Sequence, residues 1–151
     1  MNKLSTLVVA LFAVMILAGC GEEIGRIPVN RIIPPGSPDT PEITLDLTEG
    51  DDIGIWSDMD MEYDGNVAMQ FILEVIFDGE TQGVMTYDPR DKNISMMESK
   101  TNINGSVNWS YSGKNTSMSV ESTGAYTFRA NFIANPSETL KLHQAEVVFK
   151  K

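Results

Sequence analysis

Histidine and cysteine each occur once in the 151 residues, as His143 and Cys20. A single cysteine has no partner for an intramolecular disulfide, and one histidine supplies neither a repeated Met/His cluster for a soft metal nor a second imidazole for shared acid–base work. No Gly-x-Ser-x-Gly nucleophile turn is present. Basic residues are scarce: 11 Lys and Arg stand against 21 Asp and Glu, a formal net charge of −10. That balance excludes electrostatic attraction to nucleic acid or to anionic lipid headgroups. Beyond residue 20 no window carries an apolar period of three to four residues, and no internal repeat is visible. The chain is therefore not expected to be an enzyme. A carboxylate pair for glycoside hydrolysis needs none of the missing residues, but a small sandwich leaves little room for the deep cleft that such chemistry uses.

What is present begins with Met1-Asn2-Lys3, an almost wholly apolar run from Leu4 to Leu17, and Ala18-Gly19-Cys20. One positive charge, a short apolar run and a small-residue cleavage site form the three-part layout of a secretory signal, and the run is short for a membrane span of about 20 residues. Leu17-Ala18-Gly19-Cys20 resembles the lipobox of bacterial lipoproteins. The resemblance implies cleavage before Cys20, a diacylglyceryl group on its thiol and acylation of its new amino group. An exported lone thiol is otherwise a liability, so acylation also accounts for the single cysteine. Two or three acyl chains, at about 0.8 kcal/mol per buried methylene, hold a protein on a membrane where one binds reversibly. The expected partner of the N-terminus is thus the membrane, and the expected location the bacterial cell envelope. No Asp follows Cys20, so the inner-membrane retention signal of enteric lipoproteins is missing, which favours the outer membrane in a Gram-negative host. Glu22-Glu23 resembles the surface-export signal of Bacteroidota lipoproteins.

Removing residues 1–19 leaves 132 residues, enough for one domain and a tether, and takes the net charge from −10 to −11 because only Lys3 is lost. Pro34, Pro35, Pro38 and Pro41 place four of the seven prolines within eight residues. Proline fixes backbone angles and removes amide donors, so residues 20–41 are expected to be the lipidated cysteine and an extended tether, with the folded domain over 42–151.

Within 42–151 period-two alternation dominates. Val67, Met69, Phe71, Leu73, Val75 and Phe77 alternate with Ala68, Gln70, Ile72, Glu74 and Ile76, and a second run holds Tyr126, Phe128, Ala130, Phe132 and Ala134. Each predicts a strand with one apolar face. Shorter strands are predicted at 43–47, 53–56, 59–63, 83–87, 94–97, 107–111 and 117–121, and a last one ends on Val147-Val148-Phe149. Turn formers separate them: Asp64-Gly65-Asn66, Asp78-Gly79, Asp88-Pro89, Asn104-Gly105 and Ser112-Gly113-Lys114-Asn115. Turns every 8–12 residues predict an all-β fold, an antiparallel β-sandwich of about eight strands.

Val84-Met85-Thr86-Tyr87-Asp88-Pro89, then Gly124-Ala125-Tyr126-Thr127-Phe128, the Asn131 to Asn135 region and Val147-Val148-Phe149 resemble the second half of GOLD-type β-sandwich domains. The paired cysteines of the eukaryotic members are missing. The resemblance implies interaction with protein or lipid, without catalysis.

Several residues are candidates for a site, each with a competing structural role. Asp51, Asp52, Asp58, Asp60, Glu62 and Asp64 supply hard oxygens for calcium. Counting from Asp58, however, an EF-hand loop finds Tyr63 and Met69 where it needs Gly and Glu, and Met59, Met61 and Tyr63 alternate with the acids as on a half-exposed strand. Trp109 and Tyr111 share a strand face with Val107, which favours the core over a sugar-stacking platform, whereas Trp56 and Tyr87, near strand ends, are the expected exposed aromatics for ligand binding. Met59, Met61, Met96 and Met97 with His143 are a soft-metal set on paper and core filler by habit. The Asn-x-Ser/Thr triplets at Asn93, Asn104, Asn108 and Asn115 read as polar strand and turn residues in a bacterial lipoprotein.

The functional expectation is a non-catalytic envelope lipoprotein that binds a protein or glycan partner at the loops farthest from the tether, with no cofactor. Two other classes compete: an inhibitor of a cationic host lytic enzyme such as lysozyme, which the charge of −11 would attract, and a calcium-stabilised structural or adhesive module.

Overall fold

The computed structural model describes residues 21–151; the expected signal peptide and Cys20 lie outside the described residues. The described chain forms nine strands: β1 (Glu23–Pro28), β2 (Glu42–Leu47), β3 (Asp52–Asp64), β4 (Ala68–Phe77), β5 (Glu80–Tyr87), β6 (Ile94–Ile103), β7 (Ser106–Ser119), β8 (Gly124–Asn135) and β9 (Lys141–Lys150). They build the expected antiparallel sandwich, a five-stranded sheet in the order β1-β9-β3-β7-β6 facing a four-stranded sheet in the order β2-β8-β4-β5. Among the described residues no helix is long and apolar enough to cross a membrane.

The alternation in β4 and β8 produces the core directly. Phe71, Leu73, Phe128 and Phe132 from one sheet meet Ile53, Ile55, Met61, Val147 and Phe149 from the other, all fully buried. Phe128 and Phe149 join the two layers with ring centroids 4.5 Å apart. Burying each such side chain contributes about 1.5–3 kcal/mol. Both tight hairpins use the residues that their geometry demands: Asp78-Gly79 joins β4 to β5 and Asn104-Gly105 joins β6 to β7, all four with positive φ.

Three features differ from the sequence-based expectations. First, the 20–41 segment is not a free tether, because its described residues 21–41 belong to the sandwich. β1 pairs with β9 from Glu23↔Lys150 to Pro28↔Glu146, Ile33 bridges to Phe132, and Ile27, Val29 and Ile33 are buried. Ile27 and Val29 have a face of the core to fill, and that outweighs the extended bias of the prolines that follow. Second, the strands expected at 53–56 and 59–63 are one strand, β3, paired along its length with β7. Ser57, which reads as a break, is buried and donates to Asn115 Oδ1 at 2.6 Å. Third, the turn expected at Ser112-Gly113-Lys114-Asn115 is a continuation of β7 with a bulge opposite Ile55/Trp56. Gly113 leaves room there for Lys92, since a Cβ would stand 2.5 Å from Lys92 Cδ and the lysine would have to shift.

The β5–β6 connection closes one side of the sandwich. Asn115 Nδ2 donates to Pro89 O (3.0 Å) and Asp91 O (2.8 Å), and Lys92 Nζ stands 4.7 Å from the Tyr111 ring centroid and 5.1 Å from that of Trp109. A cation held over two aromatic faces is attracted by their ring quadrupoles.

Candidate functional site

Asp52, Asp58, Asp60, Glu62 and Asp64 lie where a strand puts them, on the outward side of β3, with Asp51 in the loop before it, and they do not converge. Alternate residues on a strand are about 6.8 Å apart, and the carboxylates of Asp51, Asp58 and Glu62 find separate partners. Asp51 accepts from Lys151 Nζ (2.9 Å) and from the Thr48 amide (2.9 Å); Asp58 faces Arg26 Nη1 at 3.4 Å; Glu62 accepts from Asn108 Nδ2 (3.1 Å) with His143 Nε2 at 3.7 Å. The Lys151 hydrogen bond, aided by the Thr48 amide, holds the Asp51 carboxyl below its ordinary range. Asp52 lines a shallow groove on the outer face, Asp60 a second one, and Asp64 meets Thr139 through its backbone. Among the described residues no group of three or more His, Cys, Asp or Glu is placed to hold a metal ion. The calcium candidates are thus an ordinary strand face with local ion pairs. The soft-metal set is likewise split: Met59 and Met61 are in the core, while Met97 is 85 % exposed on β6.

The two aromatics expected at the surface are not free. Trp56 is 6 % exposed on the outer side of β3, with Lys150 Nζ 4.1 Å from its ring centroid, and it lines a groove of about 250 Å³ with Lys114 and Lys151. Tyr87 points inward, packs on Phe71 at 5.8 Å and has a buried hydroxyl, whose loss of a proton is opposed by burial. Trp56 keeps the outward parity of β3, between the buried Ile55 and Ser57, and is covered there by Lys150, while Tyr87 takes the inward register opposite Phe71. Trp109 and Tyr111 pack in the core, as the polar set on their opposite face implies. Glu98 accepts from Ser95, Lys92 and the Trp109 indole, and these bonds hold its carboxyl down at about 2.

A polar cleft is built by the segment expected to be a tether. Residues 34–41 fold into two successive turns, with Ser37 N donating to Pro34 O and Thr40 N to Ser37 O, both at 3.3 Å, and the strap is stitched to β8 by Ala130 N donating to Pro41 O at 3.1 Å. Between this strap and the outer face of the four-stranded sheet lies a polar cleft of about 650 Å³, lined by Ser37, Thr40, Glu42, Glu74, Arg129 and Asn131 among others. Register assembles its centre, because Glu42 of β2 and Glu74 of β4 both stand directly opposite Arg129 of β8. Arg129 Nε donates to Glu42 Oε2 at 2.7 Å and its Nη1 lies 4.0 Å from Glu74 Oε2, while Thr81 Oγ1 donates to Glu74 Oε1 at 2.6 Å. The Glu42 hydrogen bond raises the already high guanidinium pKa, so the cation is permanent. Asn131 is 8 % exposed, and its Nδ2 donates to Pro34 O (3.2 Å) and Thr40 Oγ1 (3.0 Å).

None of the lining residues was a candidate site residue in the sequence, although Pro38 stood in the proline cluster and Asn131 in the GOLD-like pattern. Each occupies an unremarkable outward strand or turn position, and only the pairing register brings them together. At the opposite end of the chain path, Gly21 leads straight into Glu22, whose N and O exchange backbone hydrogen bonds with Lys151 at 2.9 Å each. No family model matches the chain, and no curated protein and no solved structure was found to match it.

Proposed function

We propose that the protein is a non-catalytic, lipid-anchored module of the bacterial cell envelope, in which acyl groups on Cys20 hold a β-sandwich that binds a protein or glycan partner. The observation that carries the anchor is the lipobox-like Leu17-Ala18-Gly19-Cys20 after a short apolar run. The Glu22–Lys151 hydrogen bonds and the β1–β9 pairing from Glu23 support a reading in which the folded body begins two residues after a lipidated Cys20. In a Gram-negative host the outer membrane is the favoured location, and the net charge argues against a nucleic-acid partner.

A binding role is supported by the polar cleft between strap and sheet, and the likeness to GOLD-type domains points the same way. Against catalysis stand the single, half-exposed His143, which faces Glu62 on the outer surface, and the commitment of Cys20 to the lipid. The test is detergent phase partitioning of the full chain expressed in a bacterium. The wild type is expected in the detergent phase and Cys20→Ser in the aqueous phase; a wild type that stays aqueous contradicts the anchor.

A further inference from the structure

We infer that the cleft beneath the 34–41 strap is a binding site for a neutral saccharide, which rests on the reading of the protein as a binding module and names its ligand class. The volume of about 650 Å³ falls inside the range of about 300–1,000 Å³ typical of small-ligand sites. Its chemistry selects among ligands. Glu42 and Glu74 outnumber Arg129, so the centre carries one net negative charge and opposes phosphates and uronates. No aromatic or large aliphatic side chain lines it, which gives an acyl chain or a flat ring nothing to pack against.

What remains is a ligand that both donates and accepts at neighbouring atoms, as a sugar diol does. Each hydroxyl can donate to a carboxylate while it accepts from the adjacent guanidinium. The protein presents that alternation ready made: the Glu42–Arg129–Glu74 row is fixed by cross-strand register and by Thr81, and Asn131 uses its nitrogen on the strap, which leaves its oxygen for the ligand. Groups held in place before binding lose little entropy when they bind.

Location agrees. The strap joins β8 near Phe132, whereas Gly21 lies beside Lys150 and Lys151, and Asp51 binds Lys151 in the loop after β2, at the end of the sandwich where β8 begins with Gly124 opposite Leu47. The strap's bonds to Ala130 and Phe132 therefore lie six and eight residues along β8 from the end beside Gly21.

The experiment is saturation-transfer NMR and calorimetry on the full-length mature protein in detergent micelles. Chitotetraose, cellotetraose and maltotetraose are the neutral probes and tetragalacturonate is the anionic control. The expected result is binding of at least one neutral probe, no binding of the control, and at least tenfold weaker binding for both Arg129→Met and Glu74→Gln with unchanged melting temperature. Failure of all three neutral probes at millimolar concentration overturns the assignment, as does binding that the two variants leave intact. Capture of a purified envelope protein that Arg129→Met abolishes, with no sugar bound, also overturns it. These outcomes are independent of detergent partitioning, so a failed ligand class and a failed anchor are read separately.

Discussion

Glu22 and Lys151 exchange two backbone hydrogen bonds of 2.9 Å, so the two ends of the described chain are joined just beyond the β1–β9 pairing. The C-terminal strand β9 is covered on one edge by β1 and on the other by β3. Removing β1 would expose both its ladder and the side chains it buries. A fragment that starts at Glu42 loses Ile27, Val29 and Ile33 from the core, each worth about 1.5–3 kcal/mol of burial. It is predicted to be unfolded or to melt far below a fragment that starts at Gly21, as circular dichroism would show; equal melting temperatures would return residues 21–41 to the role of a spacer. In the longer fragment Ile27→Ala is predicted to cost about 2–5 kcal/mol in a denaturant titration.

Asn115 ties three parts of the structure together, through Ser57 at 2.6 Å and the carbonyls of Pro89 and Asp91. Asn115→Ala leaves the buried Ser57 hydroxyl without its acceptor and frees the 88–93 connection. A loss of about 1–3 kcal/mol is expected, with faster amide exchange confined to that connection and the middle of β3. A uniform change across the sandwich would refute the local role.

Acid sensitivity follows from three carboxyls held below their ordinary values: Glu23 by its hydrogen bond to Arg26, Asp51 by Lys151, and Glu98 by Ser95, Lys92 and Trp109. Their unfolded values lie near 4.5 for Glu and 3.8 for Asp. A depressed folded value means that the unfolded chain binds more protons, so the stabilisation is present above those values and is lost as pH falls towards about 2. The melting temperature is predicted to drop between pH 5 and pH 2, and Glu98→Gln to flatten that slope. All three are at or near the surface, so added salt should shrink the effect.

Calcium is predicted to leave the melting temperature unchanged at millimolar concentration, because Asp51, Asp58 and Glu62 are separately engaged rather than gathered. A ligand of the native state must raise stability by mass action, so a rise of several degrees would revive a metal role for the β3 face.

The fold class was legible because the alternation in β4 and β8 is long and unbroken. The continuity of β3 and β7 was not, since Ser57 and Gly113 look like breaks and become intelligible only once Asn115 and Lys92 are seen beside them. Prolines 34–41 signalled an irregular segment but not its docking, although Ile27 and Val29 carried the period of a buried strand edge. The cleft was illegible for a different reason. Arg129, Glu42 and Glu74 are spread over 88 positions and meet only through strand register, which local pattern does not encode.

The proposed sandwich would be anchored by lipid on Cys20, just before its first strand. Intact-mass spectrometry of the protein purified from bacterial membranes tests that anchor most directly. The expected product is a chain beginning at Cys20 that carries a diacylglyceryl thioether with or without an added amide-linked acyl group, and Cys20→Ser is expected to retain the uncleaved, unmodified precursor. A wild-type chain that starts elsewhere, or starts at Cys20 with a free thiol, would contradict the anchor.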